Sequence, residues 1–122
     1  MNFCLNNYIT PENSSNFKEF WIIFSNWLDE FYRNPSPQLI QDQPSETSCE
    51  KVNAFLAASV EHLARKNQME IPNWVFQPQF RLERPWFPSE MKGDYRLFCL
   101  RQSPPEFKFR HIFVTANVLD RV

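Results

Sequence analysis

Two histidines are the residues of this chain best suited to acid–base chemistry near neutral pH, because an imidazole gains and loses its proton there. They are His62 and His111, and neither lies at a metal-ligand spacing from the other or from a cysteine. We expect His62 to be a partly buried, hydrogen-bonded residue at the border of a helix's apolar face. A small hydrolase or transferase that uses His62 or His111 is therefore the least favoured function.

Carboxylates and glycines also fail to form a catalytic or phosphate-binding pattern. Asp29 and Glu30 are adjacent, but consecutive helix positions point about 100° apart, so the pair cannot share one substrate. Gly93 is the single glycine, which excludes a P-loop and a Rossmann turn, since both need several glycines. The sequence predicts no catalytic residue, no metal and no cofactor.

The cysteines indicate the redox compartment rather than a reaction. There are three of them, without C-x-x-C spacing: Cys4, Cys49 and Cys99. This number and spacing make a disulfide framework improbable and favour a reducing compartment. The first thirteen residues do not resemble a secretory signal, and no apolar run reaches the roughly 18 residues of a membrane span. We therefore expect a cytoplasmic protein that does not contact a membrane.

Charge is distributed unevenly along the chain, although the net charge is only −1. Residues 1–61 contain three basic against eight acidic residues, and residues 62–122 contain ten basic against six acidic ones. Nucleic-acid binding by the basic second half is thus the alternative function, with four candidate contacts: Arg101, Lys108, Arg110 and Arg121. No recognition motif accompanies them, so we expect any such binding to be electrostatic and non-specific.

Two long helices are predicted in the first half. Apolar residues recur at three- and four-residue steps over 14–34, and Asn34-Pro35 ends the run. The apolar face of this helix is wide, which predicts burial on more than one side or self-association as a homodimer through Phe20, Trp21, Phe24 and Trp27. A proline-rich linker over 34–48 precedes the second helix, 49–67, for which Thr47 and Glu50 form a predicted capping box.

The second half, 68–122, is predicted to wrap these helices. Its proline–aromatic segments favour an ordered, irregular chain, followed by a helix over 94–102 and a short helix from 103 to about 110. Large apolar residues continue almost to the end, and we expect three of them to be buried: Phe107, Phe113 and Leu119. The fold class is mainly α, a single domain over 1–122.

A resemblance rests on three motifs of the second half: Ile71-Pro-x-Trp74, Pro85-Trp-Phe87 and the stretch from Ser103-Pro-Pro to Val114. Together they resemble a group of small uncharacterised bacterial proteins that lie near toxin–antitoxin or other stress-linked gene pairs. The resemblance implies a binding role and transfers no functional residue. The leading function is accordingly a non-enzymatic interaction or regulatory module, antitoxin-like, with a protein partner.

Overall fold

The computed structural model describes residues 4–88 and 94–120, with Asp94 and Tyr95 described only as part of their helix. Over these residues it contains five α-helices and no named strand. The helices are α1 (Leu5–Tyr8), α2 (Phe17–Arg33), α3 (Glu50–Lys66), α4 (Asp94–Gln102) and α5 (Pro105–Phe109). Single 3₁₀ turns occupy Pro37–Leu39, Asn73–Phe76 and Pro78–Phe80. The mainly helical prediction is confirmed, whereas α1 was not predicted.

Helix α2 carries a continuous column of aromatic rings on its buried face. Asn16 caps the helix, because its side-chain oxygen accepts from the backbone N–H of Glu19. The rings that follow stack on one another at centroid distances of 5.0 to 5.6 Å along the series Phe20, Phe24, Trp27 and Phe31. The apolar side chain of Ile22, on the same helix, is 60% exposed. The buried face is therefore narrower than predicted.

Helix α3 is the central element, with twelve of its seventeen residues buried. Its alanines allow neighbours to approach closely on several sides, so burial on more than one side belongs to α3 rather than α2. The predicted capping box is wrong: Cys49 is the N-cap residue and makes no side-chain cap bond. Thr47 instead exchanges hydrogen bonds with Asn53, whose side-chain oxygen accepts from the Thr47 N–H and hydroxyl.

Phe55 of α3 joins the two halves of the chain in the core. Its ring contacts Phe20 and Phe24 of α2 at 5.9 and 6.3 Å, and Phe107 of α5 at 5.3 Å. A hydrogen bond also links the second half of the chain to the first: the Trp74 indole N–H donates to the Ile40 carbonyl oxygen. These contacts place the proline–aromatic segment around the helices, as the sequence predicted.

The C-terminal segment, residues 103–120, closes the core and pairs with Trp86. Phe107 and Leu119 are buried as predicted, at 0% and 2% exposure, whereas Phe113 is only partly buried. Two backbone bonds connect Trp86 to the segment, from Trp86 N–H to the His111 carbonyl oxygen and from the Phe113 N–H to Trp86. A turn is present over 116–119, and position 121 lies outside the described residues.

Within 4–88 and 94–120, no helix combines the length and the hydropathy needed to cross a membrane.

Candidate functional site

Three of the four aromatic residues predicted to mediate self-association lie in the core. Phe20, Phe24 and Trp27 have no exposed surface, and Trp21 is partly buried against Phe55. The hydrophobic face of α2 is covered by α3 and the wrap, so it does not need a second copy to shield it. Self-association stays a prediction, but only Trp21 of this set retains exposed surface for it.

The four basic candidates do not form one surface. Arg101 and Lys108 are exposed, Arg110 is fully buried, and Arg121 lies outside the described residues. The burial of Arg110 removes the central member of the proposed basic surface. Its guanidinium is engaged inside the protein, in a cluster of charged side chains between α3 and α5.

The core of this charged cluster is the pair of Arg110 and Glu61. The Arg110 Nη1 donates to Glu61 Oε1 and to the Glu106 backbone carbonyl, both at 2.8 Å. Its Nη2 donates to the Val75 carbonyl at 2.8 Å, whereas its Nε has no hydrogen-bond partner among the described residues. One guanidinium thus holds three segments together: α3, α5 and the 3₁₀ turn Asn73–Phe76.

The outer part of the cluster contains His62, Arg65 and the Glu106 side chain. Arg65 donates from Nε and Nη2 to Glu61 Oε2 at 3.0 and 2.8 Å. The Nδ1 of His62 donates to Glu106 Oε1 at 2.8 Å, and Arg65 Nε lies 3.7 Å from Glu106 Oε2. His62 is partly buried and hydrogen-bonded, as predicted.

Each carboxylate oxygen of the cluster therefore faces a cationic or imidazole group. An arrangement that uses every oxygen in this way fixes side chains in place and compensates their burial. Glu61 and Glu106 were not predicted from the sequence as partners of Arg110 and His62. Two signals were available: the four-residue spacing from Glu61 to Arg65 and the position of Arg110 within an apolar stretch.

The second histidine, His111, has a local structural role. Its Nδ1 donates to the Leu82 carbonyl oxygen at 2.6 Å. Its backbone adopts φ of 63°, in the left-handed region that few non-glycine residues occupy. This conformation turns the chain between α5 and the segment that pairs with Trp86. Among the described residues, His62 bonds to Glu106 and His111 to Leu82, and no hydrogen bond joins the two histidines.

Helix α4 carries three of the six exposed large hydrophobic residues of the described part of the chain. Leu97, Phe98 and Leu100 are 59%, 49% and 40% exposed, whereas Cys99 on the same helix is 1% exposed. Ser103 secures the helix at its end, because its hydroxyl oxygen lies 2.7 Å from the Cys99 carbonyl and accepts from the Val114 N–H. Ser103 thus bonds to α4, whereas the N-cap residue of α5 is Pro104.

No group of three or more metal-ligating side chains is present in the described part of the chain. Comparisons with protein-family models, with curated proteins and with solved structures found no match. The resemblance to small bacterial proteins stays a prediction, and the candidate site rests on the geometry of this molecule alone. Two features remain for function: the charged cluster between α3 and α5, and the exposed apolar face of α4.

Proposed function

We propose that this protein is an interaction module whose contact surface is the outer face of α4. The observation that carries the proposal is the exposure of Leu97, Phe98 and Leu100 within four consecutive residues. Single exposed apolar side chains are common on proteins, but a contiguous group of large ones is typical of an interaction site.

Helix geometry places these residues together. At about 100° per residue, Leu97 and Arg101 lie nearly opposite the buried Cys99, and Phe98 and Leu100 flank them. Arg101 is exposed on the same face. The outer face of α4 is thus defined by four residues: Leu97, Phe98, Leu100 and Arg101. This face combines three large apolar side chains with one positive charge, which lies beside Leu97.

The partner that fits such a face is a protein with an apolar groove and an acidic residue at its rim. An amphipathic helix binds such a groove through side chains three and four positions apart. A regulatory module of the antitoxin type is one specific form of this proposal, and the identity of the partner decides it. Cys4, Cys49 and Cys99 form no disulfide within the described part of the chain, which supports a location in the reducing cytoplasm.

Nucleic-acid binding is less well supported, because Arg110 is committed to Glu61 in the core. Of the four predicted basic contacts, Arg101 and Lys108 are the exposed ones among the described residues. Arg101 already belongs to the outer face of α4, where apolar residues outnumber it.

Site-specific photo-crosslinking in the organism that encodes the chain tests the proposal. A benzophenone amino acid replaces Leu97, and in the control it replaces Gln79, which is also exposed but lies in the 3₁₀ turn Pro78–Phe80. We expect a discrete protein adduct from position 97 and none from position 79. Adducts of equal yield from both positions, adducts to nucleic acid, or no adduct from position 97 would each refute the proposed surface.

A further inference from the structure

A second region of the molecule has the properties of a ligand-binding site. A cavity of about 390 Å³ opens between the first turns of α2, the middle of α3, α4 and the segment 113–118. This volume lies within the range of about 300 to 1,000 Å³ that is usual for small-molecule sites. It lies on the inner side of α4, where Cys99 contributes to it, and is therefore separate from the outer face.

The lining that the described residues form is rich in aromatic rings and uncharged. Phe55, Cys99 and Val114 are buried residues of the lining, and Phe17, Trp21 and Phe113 are partly exposed ones. None of the ten lining residues in the described part of the chain carries a charge. By contrast, the cleft beside the charged cluster is lined by Glu61, Arg65 and Glu106. An ion entering the uncharged cavity would lose hydration without compensation, so the lining selects for a neutral ligand.

An exposed polar side chain at the edge of the cavity adds specificity: Asn117. The Thr115 hydroxyl donates to Asn117 Oδ1 at 2.7 Å, which orients the Asn117 amide. The Asn117 Nδ2 makes no hydrogen bond to another described residue, so it can exchange solvent for a ligand oxygen. A carbonyl oxygen is a suitable acceptor for it, because it needs no charge.

From this combination we infer that the cavity binds a small, uncharged aromatic molecule that carries a carbonyl or similar acceptor oxygen. The partly exposed rings of Phe17, Trp21 and Phe113 offer edge-to-face and stacked contacts to a flat ligand. The acceptor oxygen of the ligand receives the Asn117 amide N–H. This inference concerns the inner side of α4 and does not depend on the proposed partner surface.

The test uses prodan, a neutral naphthalene dye with a ketone oxygen, whose fluorescence shifts to shorter wavelength in apolar surroundings. We expect saturable binding to the wild-type chain with a blue shift. Val118→Trp, which fills the cavity from its partly exposed lining, is expected to weaken binding by about tenfold or more. The double variant Leu97→Ser, Phe98→Ser is the control for dye on the outer face, and its affinity is expected to be unchanged.

A second variant tests the polar contact independently of cavity filling. Asn117→Ala is expected to weaken prodan binding by about threefold to tenfold and to leave binding of N-phenyl-1-naphthylamine, which has no carbonyl, unchanged. The inference is overturned if the folded wild type does not bind prodan, or if Val118→Trp with a wild-type circular dichroism spectrum binds it equally well. Loss of binding in the outer-face variant would equally refute it, because the dye would then report the outer face.

Discussion

At the scale of single residues, the buried guanidinium of Arg110 is the most consequential feature. It has no exposed surface, and its partner Glu61 is 5% exposed. Transferring both charges from water is costly, so their benefit depends on each retaining the other. The pair links helix α3 to the C-terminal segment. Removing Arg110 leaves Glu61 with Arg65 alone and leaves Glu61 Oε1 and the Val75 carbonyl without their donor.

Arg110→Ala is therefore expected to destabilise the protein by about 3 to 5 kcal/mol. Urea denaturation measures the free energy of unfolding, and Lys108→Ala is the matched control, because Lys108 is exposed two residues earlier. The control is expected to change stability by less than about 0.5 kcal/mol. Equal effects of the two variants would show that the Arg110 contacts contribute nothing. The double variant Glu61→Leu, Arg110→Met is expected to recover part of the loss, since it removes both charges together.

A second residue-scale prediction concerns the left-handed backbone of His111. His111→Ala is expected to destabilise the fold, because alanine loses the bond to the Leu82 carbonyl, worth about 0.5 to 1.5 kcal/mol, and keeps the unfavourable φ. His111→Gly is expected to be about 1 kcal/mol more stable than His111→Ala, since glycine adopts positive φ without steric cost. Thermal melts of both variants decide this, and a less stable glycine variant would contradict it.

At the scale of elements, helices with clear periodicity and flanking signals were predictable. Helices α2 and α3 differ from the predicted ranges by one to three residues at their ends, and α4 matches the prediction. Helix α1 and the 3₁₀ turns were harder to predict, because three or four residues carry too little periodicity to indicate a helix. The choice of Asn53 as partner of Thr47 depends on tertiary packing, which a local capping pattern does not contain.

The same limit explains why the sites were only partly predictable. A bulky apolar stripe on α2 has the same pattern whether its neighbour is a second copy or α3, so Phe20, Phe24 and Trp27 were assigned to an interface. The apolar stretch around Arg110 does not indicate its partner, and only the fold brings it within 2.8 Å of Glu61, 49 positions earlier. The exposure of Leu97 is likewise set by which side of α4 meets the core.

The C-terminal segment is expected to be an integral element of the fold. Truncation after Pro105 removes Phe107, Arg110 and Ile112, which are all fully buried, and large core side chains cost about 2 to 5 kcal/mol each. Their sum approaches the usual total stability of a small domain, about 5 to 15 kcal/mol. We expect an insoluble or molten product, as judged by near-UV circular dichroism. A soluble truncated chain with the parent's melting temperature would show instead that the segment is a detachable docking peptide.

At the scale of the whole molecule, the proposed contact surface lies apart from the residues that build the core. The core is built by α2, α3 and the C-terminal segment, with Phe55 in contact with aromatic rings from both other elements. Helix α4 contributes Cys99 to the interior and exposes Leu97, Phe98 and Leu100. Changes on its outer face should therefore alter partner binding without altering the fold, which makes the proposed function separable from folding in an experiment.

The most direct test is quantitative co-purification from the native host, comparing the wild type with the triple variant Leu97→Ser, Phe98→Ser, Leu100→Ser. The predicted result is one or more specific protein partners with the wild type and their loss with the variant. The melting temperature of the triple variant is expected to lie within a few degrees of the wild-type value, since the three replaced side chains are exposed. Recovery of the same partners in the same amounts with the folded variant would contradict the assignment of α4 as the interaction surface.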